Sequence, residues 1–195
     1  MTNSEPAPAE GKRDRLIRSA AELLYRRGVD SPTLADIAHD ADVPTGNVYY
    51  YFKTRDELVE AVIDARADEV RQLLASLDRR SSPRARLKGL ARAWAANEDD
   101  IATSGCPIGT LCSELNKRDR GLDQRAATLL STVADWVADQ FRQLGRSDAR
   151  ELAISMLATV QGAAVLASSL SDPKIITSQI RRLERWIDTL SAGDT

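Results

Sequence analysis

Residues 33–62, TLADIAHDADVPTGNVYYYFKTRDELVEAV, carry two short helix-forming segments, the tight connection between them and the start of a longer helix. Thr33 stands where an N-cap belongs, and Leu34, Ile37, Ala38 and Ala41 recur at helical spacing, which predicts a short helix with one buried face. Val43-Pro44-Thr45-Gly46 reads as a tight connection, with Pro44 suited to the first turn of a helix through Asn47, Val48, Tyr49 and Tyr50. Phe52 and Lys53 close that helix, and Thr54 can cap the next. Two short helices joined by a turn, preceded by a helix and followed by a long one, fit a helix-turn-helix unit over residues 12–56.

Helix signals continue on both sides. Upstream, Leu16, Ile17, Ala20, Ala21, Leu24 and Tyr25 form an apolar stripe over residues 12–27, and Gly28 stops it. Residues 1–11 lack periodicity and read as a disordered arm. Downstream, Leu58, Val59, Val62, Ile63, Val70, Leu73, Leu74 and Leu77 sustain a helix to Asp78, roughly 36 Å long at about 1.5 Å per residue. Further helices are expected at about 84–101, 107–117, 120–144, 148–170 and 174–191, punctuated by Gly105-Cys106-Pro107, Gly121, Gly145 and Asp172-Pro173. No stretch alternates like a strand. The reading is an all-α protein of about nine helices, with a second domain over 57–195.

Composition narrows the function classes. The chain has 195 residues, 43% apolar and 29% charged, an ordinary globular balance. No apolar run is expected to reach the roughly 20 residues that cross a bilayer, and the N-terminus has no signal-like apolar segment, so a cytoplasmic protein without a membrane partner is expected. Cys106 and Cys112 lack metal-ligand spacing and are expected to stay reduced thiols. His39 is the only histidine, set in a helical pattern, so histidine-based triads and multi-histidine metal sites are disfavoured. Phosphate-loop, dinucleotide and zinc-protease motifs are missing, and neither an enzyme, a cofactor nor a bound metal is expected. The net charge of −2 does not advertise nucleic acid, so any DNA argument rests on local placement.

That local pattern is specific. Thr33, Ile37, Ala38, Ala41, Val43, Gly46, Tyr49, Tyr51, Phe52, Lys53 and Leu58 together resemble the DNA-binding region of the TetR family of transcriptional regulators. The resemblance implies a regulator, by family tendency a repressor, that binds a palindromic double-stranded operator as a homodimer. It also implies that the second domain takes a small-molecule effector and forms the dimer. At the start of a recognition helix, Pro44, Thr45 and Gly46 allow close approach, and Asn47 is the best base reader. By resemblance Tyr49 and Tyr50 face DNA, with Tyr49 on a phosphate, while Tyr51 and Phe52 pack inward. Lys53 is the natural phosphate clamp, and Thr33 can offer its hydroxyl and the helix N-terminus to another phosphate.

Past the fourth helix, SGCPIGTLCSEL at 104–115 resembles a Gly-Cys-Pro-aliphatic-Gly signature in the TetR branch related to lincomycin- and flavonoid-responsive repressors. Gly105 and Gly109 permit close packing there, and Cys106 opens a helix, a position that suits either a small buried residue or a reactive thiol. Trp94, Cys106, Leu111, Leu115, Val133, Trp136, Val137 and Met156 are the expected pocket wall, largely apolar and suited to an aromatic or lipophilic effector. The segment 152–170 is apolar nearly all round. With the stripe of the last helix it suggests a four-helix dimer contact through Leu157, Gln161, Val165, Ile176, Ile180, Leu183 and Ile187. Two alternatives stay open: a redox or electrophile sensor acting through Cys106, and a helical-bundle enzyme or carrier.

Overall fold

The computed structural model describes residues 11–117 and 121–190, so the arm expected over 1–11 lies outside the described residues except for Gly11. Among the described residues there are ten helices and no strand. Two compact units divide the chain, one up to Ala65 and one from Arg66.

The first unit contains α1 (Lys12–Arg27), α2 (Leu34–Asp40), α3 (Thr45–Tyr51) and the opening turns of α4 (Arg55–Asp78). Its core is the helical stripe legible in the sequence: Leu16, Ala20 and Leu24 of α1, Ile37 and Ala38 of α2, Val48 of α3, and Leu58, Val59 and Val62 of α4 are all buried. Polar ties fix the packing. Ser19 donates from α1 to the Asp40 carboxylate at the end of α2, and the Arg55 guanidinium donates to the carbonyls of Val29 and Pro32 in the α1–α2 loop. The units part inside α4, beyond the boundary expected at 56/57. Leu58, Val59, Val62 and Ile63 are buried within the first unit's span, whereas Val70, Leu74 and Leu77 join the second core.

The second unit continues with α5 (Pro83–Ala95), α6 (Glu98–Ser104), α7 (Pro107–Leu115), α8 (Leu122–Gln143), α9 (Ala149–Leu170) and α10 (Lys174–Thr189). α9 is central and packs against α6, α8 and α10, while α7 lies on α8 and α5 on both α8 and α10. Phe141, Met156 and Ile187 are fully enclosed, and Trp186 meets the Phe141 ring edge-on at 5.8 Å. The helix expected over 84–101 is two helices. The amide of Ala96 closes α5 onto the carbonyls of Arg92 and Trp94, Asn97 leaves the helical conformation, and Glu98, Asp99 and Asp100 then favour a new N-terminus.

Two further expectations change here. α9 is long and apolar enough to cross a membrane by length and composition, contrary to the reading that no run approached that size. Its residues Ala153, Met156, Leu157, Val160, Ala163, Ala164 and Ala167 are instead buried among neighbouring helices. The second correction concerns the dimer contact. Leu157, Ile176, Ile180, Leu183 and Ile187 are buried in this chain's own core, because α10 lays its stripe on α5 and α9, so they offer no surface to a partner. Of the residues named for that contact, Val165 stays exposed and Gln161 is half-buried. The large apolar side chains left outward on α9 are Ile154, Val165, Leu166 and Leu170, each 50% exposed or more.

Candidate functional site

The helix-turn-helix is built by two local devices. Thr33 and Asp36 form a reciprocal capping box: the Thr33 hydroxyl accepts from the Asp36 amide at 3.1 Å, and the Asp36 carboxylate accepts from the Thr33 amide at 2.8 Å. At the other end of α2, Asp42 adopts a left-handed φ of 51°, its amide bonds the His39 carbonyl, and the Val43 amide bonds the Ala38 carbonyl. That double closure turns the chain sharply, and the buried Val43 pins it. Pro44 then serves as the N-cap of α3 rather than in its first turn, its carbonyl accepting from the Asn47 amide at 2.8 Å.

The two faces of α3 differ. Val48 points into the core, and Phe52 at its C-cap is buried beneath the Arg13 guanidinium, 5.4 Å from the ring centre. Tyr49 and Tyr50 lie outward, 54% and 77% exposed, while Tyr51 is half-buried and meets Tyr50 edge-on at 5.0 Å. Thr45 is exposed and Asn47 half-buried at the same end. Gly46 has nothing within 4 Å of where a side chain would begin, so the fold itself does not require its bareness.

Lys53 and Thr33, the residues expected to meet phosphates, have partners within the chain. The Lys53 ammonium donates to the Tyr49 carbonyl at 2.8 Å, capping α3, while its amide bonds the Glu57 carboxylate at 2.7 Å. The Thr33 hydroxyl donates to Asp36 at 2.6 Å. Hydrogen bonds from the Thr33 hydroxyl and then its amide hold the Asp36 carboxyl below the usual carboxylate range. Asp36 and Arg55 were not singled out from the sequence. The T-x-x-D spacing of a capping box announced the first, and nothing local announced the second.

In the second unit, the residues expected to wall a pocket mostly fill the interior. Leu111, Leu115, Val133, Val137 and Met156 are buried packing residues, and the Trp136 indole N–H is bonded to the Asp78 carboxylate at 3.0 Å. Trp94 and Cys106 border an apolar void of about 10 Å³, no more than about one water can occupy. A much larger cleft, about 850 Å³, lies between the end of α6, α7, the first turns of α8 and the C-terminal half of α9; of the expected wall only Cys106 borders it.

The 104–115 motif builds this cleft. Gly105 takes φ +80°, Pro107 opens α7, and a Cβ on Gly109 would collide with the Gln161 carboxamide. Gln161 donates from Nε2 to the buried Cys106 sulfur at 3.3 Å. Cys112 donates to the Ala126 carbonyl at 3.1 Å, and burial, with the neighbouring Cys106 second, pushes its thiol up to about 11. Both cysteines are free, and no metal-holding group of His, Cys, Asp or Glu occurs among the described residues.

Residues 16–62 match the family of bacterial regulatory proteins called tetR, and residues 83–179 match the C-terminal domain of LmrA/YxaF-like transcriptional regulators. An uncharacterized HTH-type transcriptional regulator of Mycobacterium tuberculosis is 27% identical over 185 residues, which cover 89% of this chain and 94% of that protein. The crystal structure of a TetR regulatory protein from Rhodobacter sphaeroides superposes with a TM-score of 0.76 at 27% identity, covering 88% of this chain and 96% of that one. A TetR regulator from Legionella pneumophila shares the fold, with a TM-score of 0.81 at 18% identity over 93% of this chain and 98% of that one. With the helix-turn-helix matched at one end and a regulator's C-terminal domain at the other, the chain belongs to the TetR family of DNA-binding transcriptional regulators.

Proposed function

We propose that this regulator is a cytoplasmic repressor that binds a palindromic operator as a homodimer and leaves it when an uncharged, aromatic or lipophilic effector binds. The observation that carries the DNA half is the outward face of α3, where bare Gly46 and the exposed Tyr49 and Tyr50 stand while Val48 and Phe52 hold the helix from behind. Pro44, Thr45 and Gly46 let α3 approach the major groove, and Asn47 reads a base. Tyr49, Tyr50, Lys53 and Thr33 contact the backbone, Lys53 with the N–H groups left after its bond to the Tyr49 carbonyl.

The exposed apolar face of α9 supports the dimer. Gly162 lies on it within a helix, with open space where a Cβ would stand, so packing in this chain does not account for it. A glycine costs a helix interior roughly 0.5–1 kcal/mol relative to alanine, and a close crossing of two α9 helices about a two-fold would compensate. Recognition helices in such a dimer stand about 34–36 Å apart, or a multiple of that, to meet successive major grooves. The match of 83–179 and the Gly-Cys-Pro-Ile-Gly motif support the LmrA/YxaF-like branch. Cys106 as a sensor is disfavoured by its burial against Gln161.

A gel shift with DNA flanking the protein's own gene tests the reading. Retardation competed by the same sequence and not by bulk DNA is expected. A dimeric sample that shifts none of it at low salt overturns repression of neighbouring genes.

A further inference from the structure

We infer that Arg55 and Ser19 are positioning residues for operator recognition: they hold α2 by its two ends and, through α2, fix the orientation in which α3 meets base edges. The inference rests on the reading of α3 as the helix that reads bases, and it names what keeps that helix on its target. The first observation is how little of α2 is anchored by packing. It has seven residues, of which Ile37 and Ala38 are buried. A helix so short draws its stability from tertiary contacts, and two consecutive side chains fix its place more firmly than its tilt. Polar ties hold its ends. At the start, the Arg55 guanidinium donates from Nε and Nη2 to the Pro32 carbonyl, at 3.4 and 3.3 Å, and from Nη2 to the Val29 carbonyl. Val29 stands just past α1 and Pro32 immediately precedes the Thr33 cap, so one planar group spans the loop that leads into α2. At the far end, the buried Ser19 of α1 donates to the Asp40 carboxylate.

The second observation is that both charges stand at the wrong end of the helix that carries them. Arg55 is the first residue of α4 and Asp40 the last of α2. A helix dipole disfavours a cation at its N-terminus and an anion at its C-terminus, so neither charge serves its own helix. Each is accounted for by its bond to a neighbouring element, Arg55 to the α1–α2 loop and Asp40 to α1. Arg55 is half-buried, with Nε and Nη2 turned to the loop.

The third observation ties α2 to α3. The Asp42 amide bonds the His39 carbonyl, the Val43 amide bonds the Ala38 carbonyl, and Val43 is buried, so a tilt of α2 carries the turn and α3 with it. A hydrogen bond to a base edge weakens steeply as its angle and distance depart from the optimum, whereas attraction between a lysine and a phosphate falls gently with distance. Freeing either end of α2 therefore lowers base discrimination before it lowers affinity for DNA as such.

The test uses the full chain, a duplex selected by it from a random pool, and the same duplex changed at its most discriminated base pair. Arg55→Met and Ser19→Ala should each reduce the affinity ratio between the two duplexes roughly threefold or more, as for one weakened hydrogen bond, while binding to random DNA and its salt slope stay as in the wild type. Arg55→Lys keeps the charge but not the fork that spans two carbonyls, so it should behave like Arg55→Met. Far-UV melting shows which variants are folded at the assay temperature, and Ser19→Ala, which removes one hydroxyl, decides the matter if the Arg55 variants are not. Hydrogen exchange in the DNA-free protein should quicken at the amides of α2 and α3 in every folded variant. A wild-type ratio in folded Arg55→Lys and Ser19→Ala, or unchanged exchange, overturns the inference. So does a loss shared by all sequences, with a salt slope lower by about 1 in Arg55→Met and regained in Arg55→Lys, which would make Arg55 a phosphate contact. A wild type that selects no duplex removes the operator reading instead, and the exchange rates then decide whether α2 is held as described.

Discussion

Replacing Leu183 with Asp and, separately, Leu166 with Asp should have opposite consequences, although both residues belong to the last two apolar helices. Leu183 of α10 is 4% exposed and sits in the core cluster of the second unit. Truncating such a leucine costs about 2–5 kcal/mol, and an aspartate there must also be desolvated or held protonated, which adds to that cost. Against a typical total of about 5–15 kcal/mol the variant should be largely unfolded or melt well below the wild type. Leu166 stands outward with Ile154, Val165 and Leu170. Fully burying an apolar side chain contributes about 1.5–3 kcal/mol, so covering their exposed halves on both copies gives roughly 6–12 kcal/mol in total. Association itself costs about 4–15 kcal/mol, which leaves a narrow margin, and two carboxylates in that contact should abolish it. Light scattering behind size exclusion, with far-UV melting on the same samples, separates the cases: Leu183→Asp should lose the cooperative melt, and Leu166→Asp should melt as a folded monomer. A folded Leu183→Asp monomer, or a Leu166→Asp dimer of undiminished strength, would refute the reasoning.

Asn47→Ala should change which base is preferred at one operator position by about 1–3 kcal/mol, whereas Lys53→Ala should weaken all sequences alike and lower the salt slope by about 1; equal losses on specific and random DNA in both would end that division of labour. Thr33→Ala removes the N-cap of α2 and should cost about 0.5–2 kcal/mol in urea unfolding, and a variant of unchanged midpoint would show the capping box to be idle. Because the Asp36 carboxyl is lowered by its bonds from Thr33, its contribution is full above the ordinary carboxylate pKa and lost as pH falls through the lowered value. Asp36→Asn should therefore lose less stability on acidification than the wild type does, and identical acid limbs would contradict the linkage. With its thiol near 11, Cys112 should react with a disulfide reagent at pH 8 far more slowly in the native protein than in urea; equal rates would mean that the thiol is not buried.

The helix-turn-helix was legible because its determinants are short-range. A cap, its reciprocal carboxylate, a left-handed Asp42 and the spacing of Ile37, Ala38 and Val48 lie within a few residues of one another, so local chemistry fixes the turn and sends Tyr49 and Tyr50 outward. Asn97 before Glu98-Asp99-Asp100 is an equally local pattern that the reading of one helix over 84–101 passed over; Asn97 holds the N-cap position of α6 without a side-chain capping bond, and the break between α5 and α6 falls there. Partnership between apolar faces is not local. The stripe Ile176, Ile180, Leu183, Ile187 looks the same whether α5 and α9 of one chain cover it or a second chain does, and only the tertiary arrangement reveals the first.

The expected pocket misled for a related reason. Large apolar residues such as Leu111, Val133 and Met156 are what a close-packed interior is made of, so they fill space rather than border it. Room for a neighbouring group is announced by what is missing. In α7 that sign is Gly109, a glycine without a positive φ in a helix interior, which helix propensity leaves unexplained until Gln161 is seen standing in its place. On the outer face of α9, Gly162 is bare in the same way with no neighbour within reach. One glycine makes room for a side chain of the same molecule; the other has no such neighbour in this chain, and that difference is why the proposed two-fold contact is put on α9 rather than on α10.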